Sequence, residues 1–140
     1  MVEQAGGRTL IVVADGAGGT GRGAAAAEMA CSMVAAAFRR GAMSSDGWVA
    51  ELLAIDRHVL TGALGGQTTV VAVEIDGTEV RGASVGDSGC WAIDPLDFMD
   101  LTSSQDRKPL LGALEELISK VRLRSGKFQD DVAIALCDSG

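Results

Sequence analysis

Acidic residues stand at three places in this chain where an apolar run meets a turn, four aspartates in all. Asp15 follows the run over residues 8–14 (RTLIVVA) and precedes a glycine-rich stretch; Asp87 lies in Gly86-Asp87-Ser88-Gly89; Asp130 and Asp131 open the run over 132–136. Carboxylate oxygens beside glycines, where backbone carbonyls can also converge, are the hard donor set that Mg²⁺ and Mn²⁺ take. Read singly, each of these aspartates is a turn former or a cap. Aspartates at three strand ends point toward a metal.

The glycine-rich stretch invites a nucleotide as well. Gly16-x-Gly18-x-x-Gly21 follows a predicted strand and opens a predicted helix, which is formally the dinucleotide fingerprint. That fingerprint needs a second parallel strand ending in an acidic residue roughly 20 positions on. Here that distance falls inside an alanine-rich helix that ends in Arg39-Arg40, and no Gly-Lys-Ser/Thr is present for a phosphate loop. Glycines that let a helix approach a strand closely explain the pattern better, and a nucleotide-binding module is the weakest of the functional readings. Arg22, just after the turn, can meet a substrate phosphate or be a solvated loop residue. Arg107-Lys108 offers a fainter version of the same idea. His58, the only histidine, lies among Ile55, Val59 and Leu60 and reads as an ordinary helix residue. Cys31, Cys90 and Cys137 are odd in number and widely spaced, which suits neither a disulfide framework nor a zinc knuckle; they read as buried apolar fillers.

Composition removes other classes. The 140 residues carry a formal charge of −7 and only two Trp, three Phe and no Tyr. Without a basic stripe or stacking rings, nucleic acid is not an expected partner. Hydrophobic residues make up 47%, ordinary for a globular chain, and no run reaches the ~18 apolar residues of a membrane span. The segment before Asp15 does not read as a signal peptide, so a cytoplasmic protein is expected.

The elements that must position these residues can be read in order. A buried strand over 8–14 is followed by the glycine turn over 16–23 and a helix over 24–40, with Met29, Met33, Ala36 and Ala37 at helical spacing. Arg39 and Arg40 suit its last turn, and Gly41 suits a left-handed C′ cap. Asp46 is the expected N-cap of a second helix over 47–60, whose Trp48, Leu52, Ile55 and Val59 form one apolar face. A strand over 67–75, a type I′ turn at Asp76-Gly77, a return strand over 79–85 and a third strand from Cys90 to Ile93 predict an antiparallel meander. After an irregular stretch over 94–108, Pro109 opens a helix with Leu110, Leu114, Leu117, Ile118 and Val121 as its stripe. A strand over 132–136 closes the chain. The class is α+β, with a largely antiparallel sheet and helices on the outside.

These residues resemble a family. IVVADGAGGTGRGAAAAEMA (11–30) looks like the ADGxGG motif of the metal-dependent protein phosphatases, the PPM or type 2C class. QTTVVAVEIDGTEVRGASVGDSGCWAI (67–93) resembles that family's S/T-T…NVGDSRxY hairpin. Leu101-Thr102 with RKPLLG (107–112) resembles its LT…KPLLG segment, and QDDVAIAL (129–136) its closing DNxTVIxV strand. The matches run in family order from residue 10 to 138. The resemblance implies an antiparallel β-sandwich flanked by helices, with a two-metal Mn²⁺ or Mg²⁺ site at one end and a metal-activated water attacking a phosphoryl group. Asp15 matches the carboxylate that bridges both metals, Gly16 the glycine whose carbonyl ligates the second, and Asp130 a metal ligand of the closing strand. Asp15 and Asp130 are thereby the catalytic pair. Asp87 matches the aspartate associated with a third, weakly held metal, and Asp131 stands where the family usually has Asn.

The chain also departs from the pattern. The family's upstream segment, with a phosphate-binding Arg and an ED pair, has no counterpart among the residues before Asp15. Gly112 runs straight into the helix at 113–121 where relatives carry (S/T)DG(L/I), whose Asp ligates the first metal. Ala17 replaces a histidine that some relatives hold after DG. The expectation is one shortened type 2C phosphatase-like domain over residues 1–140, with an incomplete metal site. It would act as a Mn²⁺- or Mg²⁺-dependent phosphohydrolase on a phosphorylated protein or a small phosphate ester. The alternative is a catalytically inactive pseudophosphatase that serves as a binding or regulatory domain. Strands removed from a sandwich leave open edges, which predicts a homodimer that covers them.

Overall fold

Strand β1 (Val2–Ala5) turns at Gly6-Gly7 into β2 (Arg8–Ala17), which leads to helices α1 (Arg22–Arg40) and α2 (Ser45–Thr61). Strands β3 (Gln67–Asp76) and β4 (Glu79–Val85) follow, then a short pair, β5 (Trp91–Ile93) and β6 (Phe98–Asp100). The computed structural model describes residues 1–17, 21–61, 65–93 and 98–102. Contacts divide the chain into two units, residues 1–88 and 89–140. The helix predicted after Pro109, the closing strand, Asp130 and Asp131 all lie outside the described residues. No helix among the described residues is long and apolar enough to cross a membrane.

The first unit is a four-stranded antiparallel sheet, ordered β1-β2-β3-β4, with both helices on one face. Period-two alternation sorts the side chains. Leu10, Val12 and Ala14 of β2 pair with Glu74, Ala72 and Val70 of β3, and this set faces the helices. Helix α1 is rich in alanine, 8 of its 19 residues, which costs least in a helix and keeps the helix thin. Its stripe of Ala26, Ala30, Val34, Ala37 and Phe38 packs on β2 and β3. Met29 and Met33 sit half-buried at the margin of this core. Trp48, Leu52, Ile55 and Val59 of α2 are all buried, as their spacing predicts.

Several expectations need correction. Strand β1 was not foreseen; Gly6 and Gly7, at φ 61° and 79°, supply the two positive angles of a type I′ loop. Strand β2 runs on past Asp15 through Gly16 and Ala17, so those last two residues belong to the sheet and not to the turn. The N-cap of α2 is Ser44, whose Oγ accepts from the Gly47 N–H at 3.1 Å, while Asp46 lies inside the helix. Gly41 follows α1 at φ 145°, outside the left-handed helical region, and its N–H donates to Phe38 O. In the β3–β4 hairpin Asp76 pairs with Glu79, leaving Gly77-Thr78 as the loop. Gly77 alone has positive φ, 58°, the pattern of a type II′ loop and not type I′. Strand β5 pairs with β6 in a sheet of its own, so the meander ends at β4.

Glu74 stands on the helix-facing side of β3 with no exposed surface. Its Oε1 accepts from Arg8 Nη1 at 2.7 Å and its Oε2 from Trp48 Nε1 at 2.9 Å. Arg8 also donates to Phe38 O at 3.1 Å and stacks over the Phe38 ring, 4.5 Å from its centre. One carboxylate thus ties β2, β3, α1 and α2 together, which holds β3 in fixed relation to the helices.

Candidate functional site

Asp15 lies two positions before the end of β2, directly opposite Thr69 of β3. Thr68 Oγ1 donates to the Asp15 carbonyl at 2.9 Å. On the other side of β3 the ladder with β4 ends at Val70–Val85, and Gly86 follows beside Thr69. Gly86 has φ 93°, and a β-carbon there would come within 2.6 Å of Thr69 Cγ2. Thr69 Oγ1 and Ser88 Oγ share a hydrogen bond of 2.5 Å. Asp15 and the turn carrying Asp87 therefore reach the same end of the sheet, on either side of β3. Both aspartates are exposed, and neither carboxylate has a hydrogen-bond or ion-pair partner among the described residues. Asp15 shares the face of Thr9, Ile11 and Val13, opposite the helices.

Gly16 pairs with Thr68 inside the sheet, and its small size serves a close approach. A β-carbon on Gly16 would lie 2.1 Å from Gly23 O, one on Gly23 2.4 Å from Ala17 O, and one on Gly66 2.1 Å from Arg22 O. Three glycines thus let β2, the first turn of α1 and the entry to β3 touch through their backbones. The Gly16 carbonyl oxygen faces this contact, 2.6 Å from the position of a β-carbon on Gly23. Arg22 is the exposed first residue of α1, not a loop residue. Gly21 precedes it at φ 76°, and the helix has neither a side-chain cap nor an acidic residue in its first turn.

Asp15 and Asp87 reach this end, Asp56 of α2 lines the groove beside Thr68 and Thr69, and no group of three or more His, Cys, Asp or Glu able to hold a metal occurs among the described residues. A groove of about 320 Å³ opens between α2 and the sheet; Leu52, Ile55, Val59, Val70 and Val85 line it together with Thr68 and Thr69. His58 is exposed on α2, and Trp48 is the fully buried anchor its position suggested. Cys31 and Cys90 are half-buried, not sealed in the core. Burial pushes the Cys31 thiol above its ordinary pKa; burial and then the Asp100 carboxylate do the same for Cys90.

Sequence reasoning passed over Thr69 and Ser88. The signal was available, because counting pairs back from the Gly77-Thr78 loop sets Thr69 opposite Gly86. Comparison with protein-family models, curated proteins and solved structures finds no significant match.

Proposed function

We propose that this protein is a Mn²⁺- or Mg²⁺-dependent phosphohydrolase of the type 2C phosphatase kind, with Asp15 and Asp87 among its metal ligands. The observation that carries this reading is the register around Thr69, which pairs with Asp15 on one side and hydrogen-bonds Ser88 on the other. Two unpartnered carboxylates at one sheet end are hard oxygen donors of the kind these cations take. The sheet itself supports the sandwich reading. Its face away from the helices carries Ile11, Val13, Val71, Val73 and Ile75, apolar enough to pack against a second layer.

A bound pair of divalent ions supplies a water of lowered pKa and neutralises charge that develops on a transferred phosphoryl group. Asp15 would hold the ions through its carboxylate; the Gly16 carbonyl and Asp130, which lies outside the described residues, are the further ligands that the resemblance implies. Arg22, exposed on the first turn of α1, offers a forked set of donors to substrate phosphate oxygens. The substrate is a phosphorylated protein or a small phosphate ester. Hydrolysis of a chromogenic aryl phosphate tests the reading: turnover should require Mn²⁺, stop with chelator and be lost in Asp15→Asn. A folded protein with no turnover would favour the pseudophosphatase, a binding domain built on the same fold.

A further inference from the structure

We propose that the outward stripe of α2 is the docking surface for a second copy of this chain, packed antiparallel across a two-fold axis; this inference is independent of the phosphohydrolase reading. On the helical period, Asp46, Val49, Ala50, Leu53, Arg57 and Leu60 fall within an arc of about 100°, turned away from the buried face of Trp48, Leu52, Ile55 and Val59. All six are exposed, and Val49, Leu53 and Leu60 keep 47%, 52% and 65% of their surface in solvent. Large apolar side chains scattered singly need no explanation, but three on one helix face form a stripe of the kind that packs.

Charge selects what covers it. Asp46 and Arg57 stand toward opposite ends of the stripe, about 16 Å apart along the helix axis. Neither has an ion-pair partner among the described residues, and neither has an opposite charge three or four positions along α2. Glu51, on the flank, is by contrast held by Arg40 at 2.8 Å. An antiparallel copy sets Asp46 beside Arg57 of the other chain twice, once on each side of the two-fold axis, and the same register sets Ala50 opposite Leu53. Leu53 then enters the hole bounded by Asp46, Val49, Ala50 and Leu53 of the other chain, the i, i+3, i+4, i+7 arrangement of knobs-into-holes packing. The small Ala50 lets the two axes approach to roughly 8–10 Å. A parallel copy would instead set like charge against like charge at both ends. The stripe is thus complementary to itself in one direction, as an interface about a two-fold axis requires. It lies on the helical layer, apart from the open strand edges of the sheet.

The test is sedimentation velocity on the full chain from micromolar to millimolar concentration, for the wild type, Leu53→Arg, Asp46→Lys, Arg57→Glu and the double charge reversal, with a thermal melt on each. The wild type should show a monomer–dimer equilibrium, and Leu53→Arg should abolish the dimer. Either single reversal should weaken the dimer about tenfold or more, because it places like charges at both contacts. An equimolar mixture of Asp46→Lys and Arg57→Glu should recover the dimer, and so should the double reversal, since each restores opposite charges at both contacts. Asp46→Lys also removes a favourable charge from the first turn of α2. The melt reads that loss, and mixing does not repair it, so recovery in the mixture reports the contact alone. A monomer at every concentration, or a dimer indifferent to Leu53→Arg, would overturn the inference. So would a mixture that dimerises no more tightly than either variant by itself. Should Leu53→Arg fail to fold, the mixture decides the question.

Discussion

Replacing Glu74 with alanine should cost more stability than any exposed substitution in the first unit. The carboxylate is fully buried and accepts from Arg8 at 2.7 Å and from Trp48 at 2.9 Å. Its removal leaves the Arg8 guanidinium, whose side chain is only 12% exposed, without its counter-charge, and leaves the buried indole N–H without an acceptor. Breaking a buried pair by deleting one partner costs about 3–5 kcal/mol. An orphaned donor adds about 1–3 kcal/mol, though the two do not sum. Arg8 keeps its bond to Phe38 O and its stacking on the Phe38 ring, which favours the lower end, about 3 kcal/mol. With a urea slope of about 1.5 kcal/mol/M, the midpoint should fall by about 2 M. Glu74→Gln should cost less, since one amide oxygen still serves Arg8 or Trp48 but not both. Replacing Arg8, Glu74 and Trp48 together by Met, Leu and Phe should come back toward wild-type stability, because no buried donor is then stranded. Urea unfolding followed by far-ultraviolet circular dichroism measures all three. A Glu74→Ala midpoint no lower than that of Glu79→Ala, on the exposed hairpin, would refute the reasoning.

Two further outcomes follow from the same structure. Gly16→Ala should destabilise the first unit by more than the roughly 0.5–1 kcal/mol that alanine normally gains or loses against glycine, because its β-carbon would sit 2.1 Å from the Gly23 carbonyl oxygen and backbone must move; a melting temperature equal to wild type would contradict the close approach. For the thiols, folded-state pKa values are raised, so their stabilising contribution is complete below the unfolded thiol pKa of about 8.5 and is lost as pH rises through the folded value. Urea midpoints should therefore fall as pH rises past about 8.5, and fall less in Cys31→Ala; an identical fall in that variant would count against the burial of Cys31.

Much of the helical layer was legible because its signals are local. Trp48, Leu52, Ile55 and Val59 repeat at the helical period, and the alanine run ending in Arg39-Arg40 marks α1. The β3–β4 hairpin was legible for the same reason, but its loop slipped by one residue: Asp76 completes the ladder, so the glycine occupies the first loop position. What escaped was non-local. Strand β1 is too short and polar to announce itself and is ordered by pairing with β2. Glu74 is a polar residue in an otherwise apolar stretch of β3, and only its parity with Val70 and Ala72 turns it toward Arg8 and Trp48. At the candidate site the aspartates were visible from their strand ends. That Asp15 and the turn after β4 lie on either side of Thr69 depends on register across three strands, which residue types alone do not express.

The most direct test of the central claim is an anomalous-scattering map at the manganese edge from crystals equilibrated with Mn²⁺. A peak at bonding distance from the Asp15 carboxylate, about 2.0–2.3 Å, at the sheet end that carries the Gly86–Ser88 turn is the result this account predicts. No peak at saturating Mn²⁺, or peaks only at exposed carboxylates elsewhere such as Asp76 and Glu79, would contradict it.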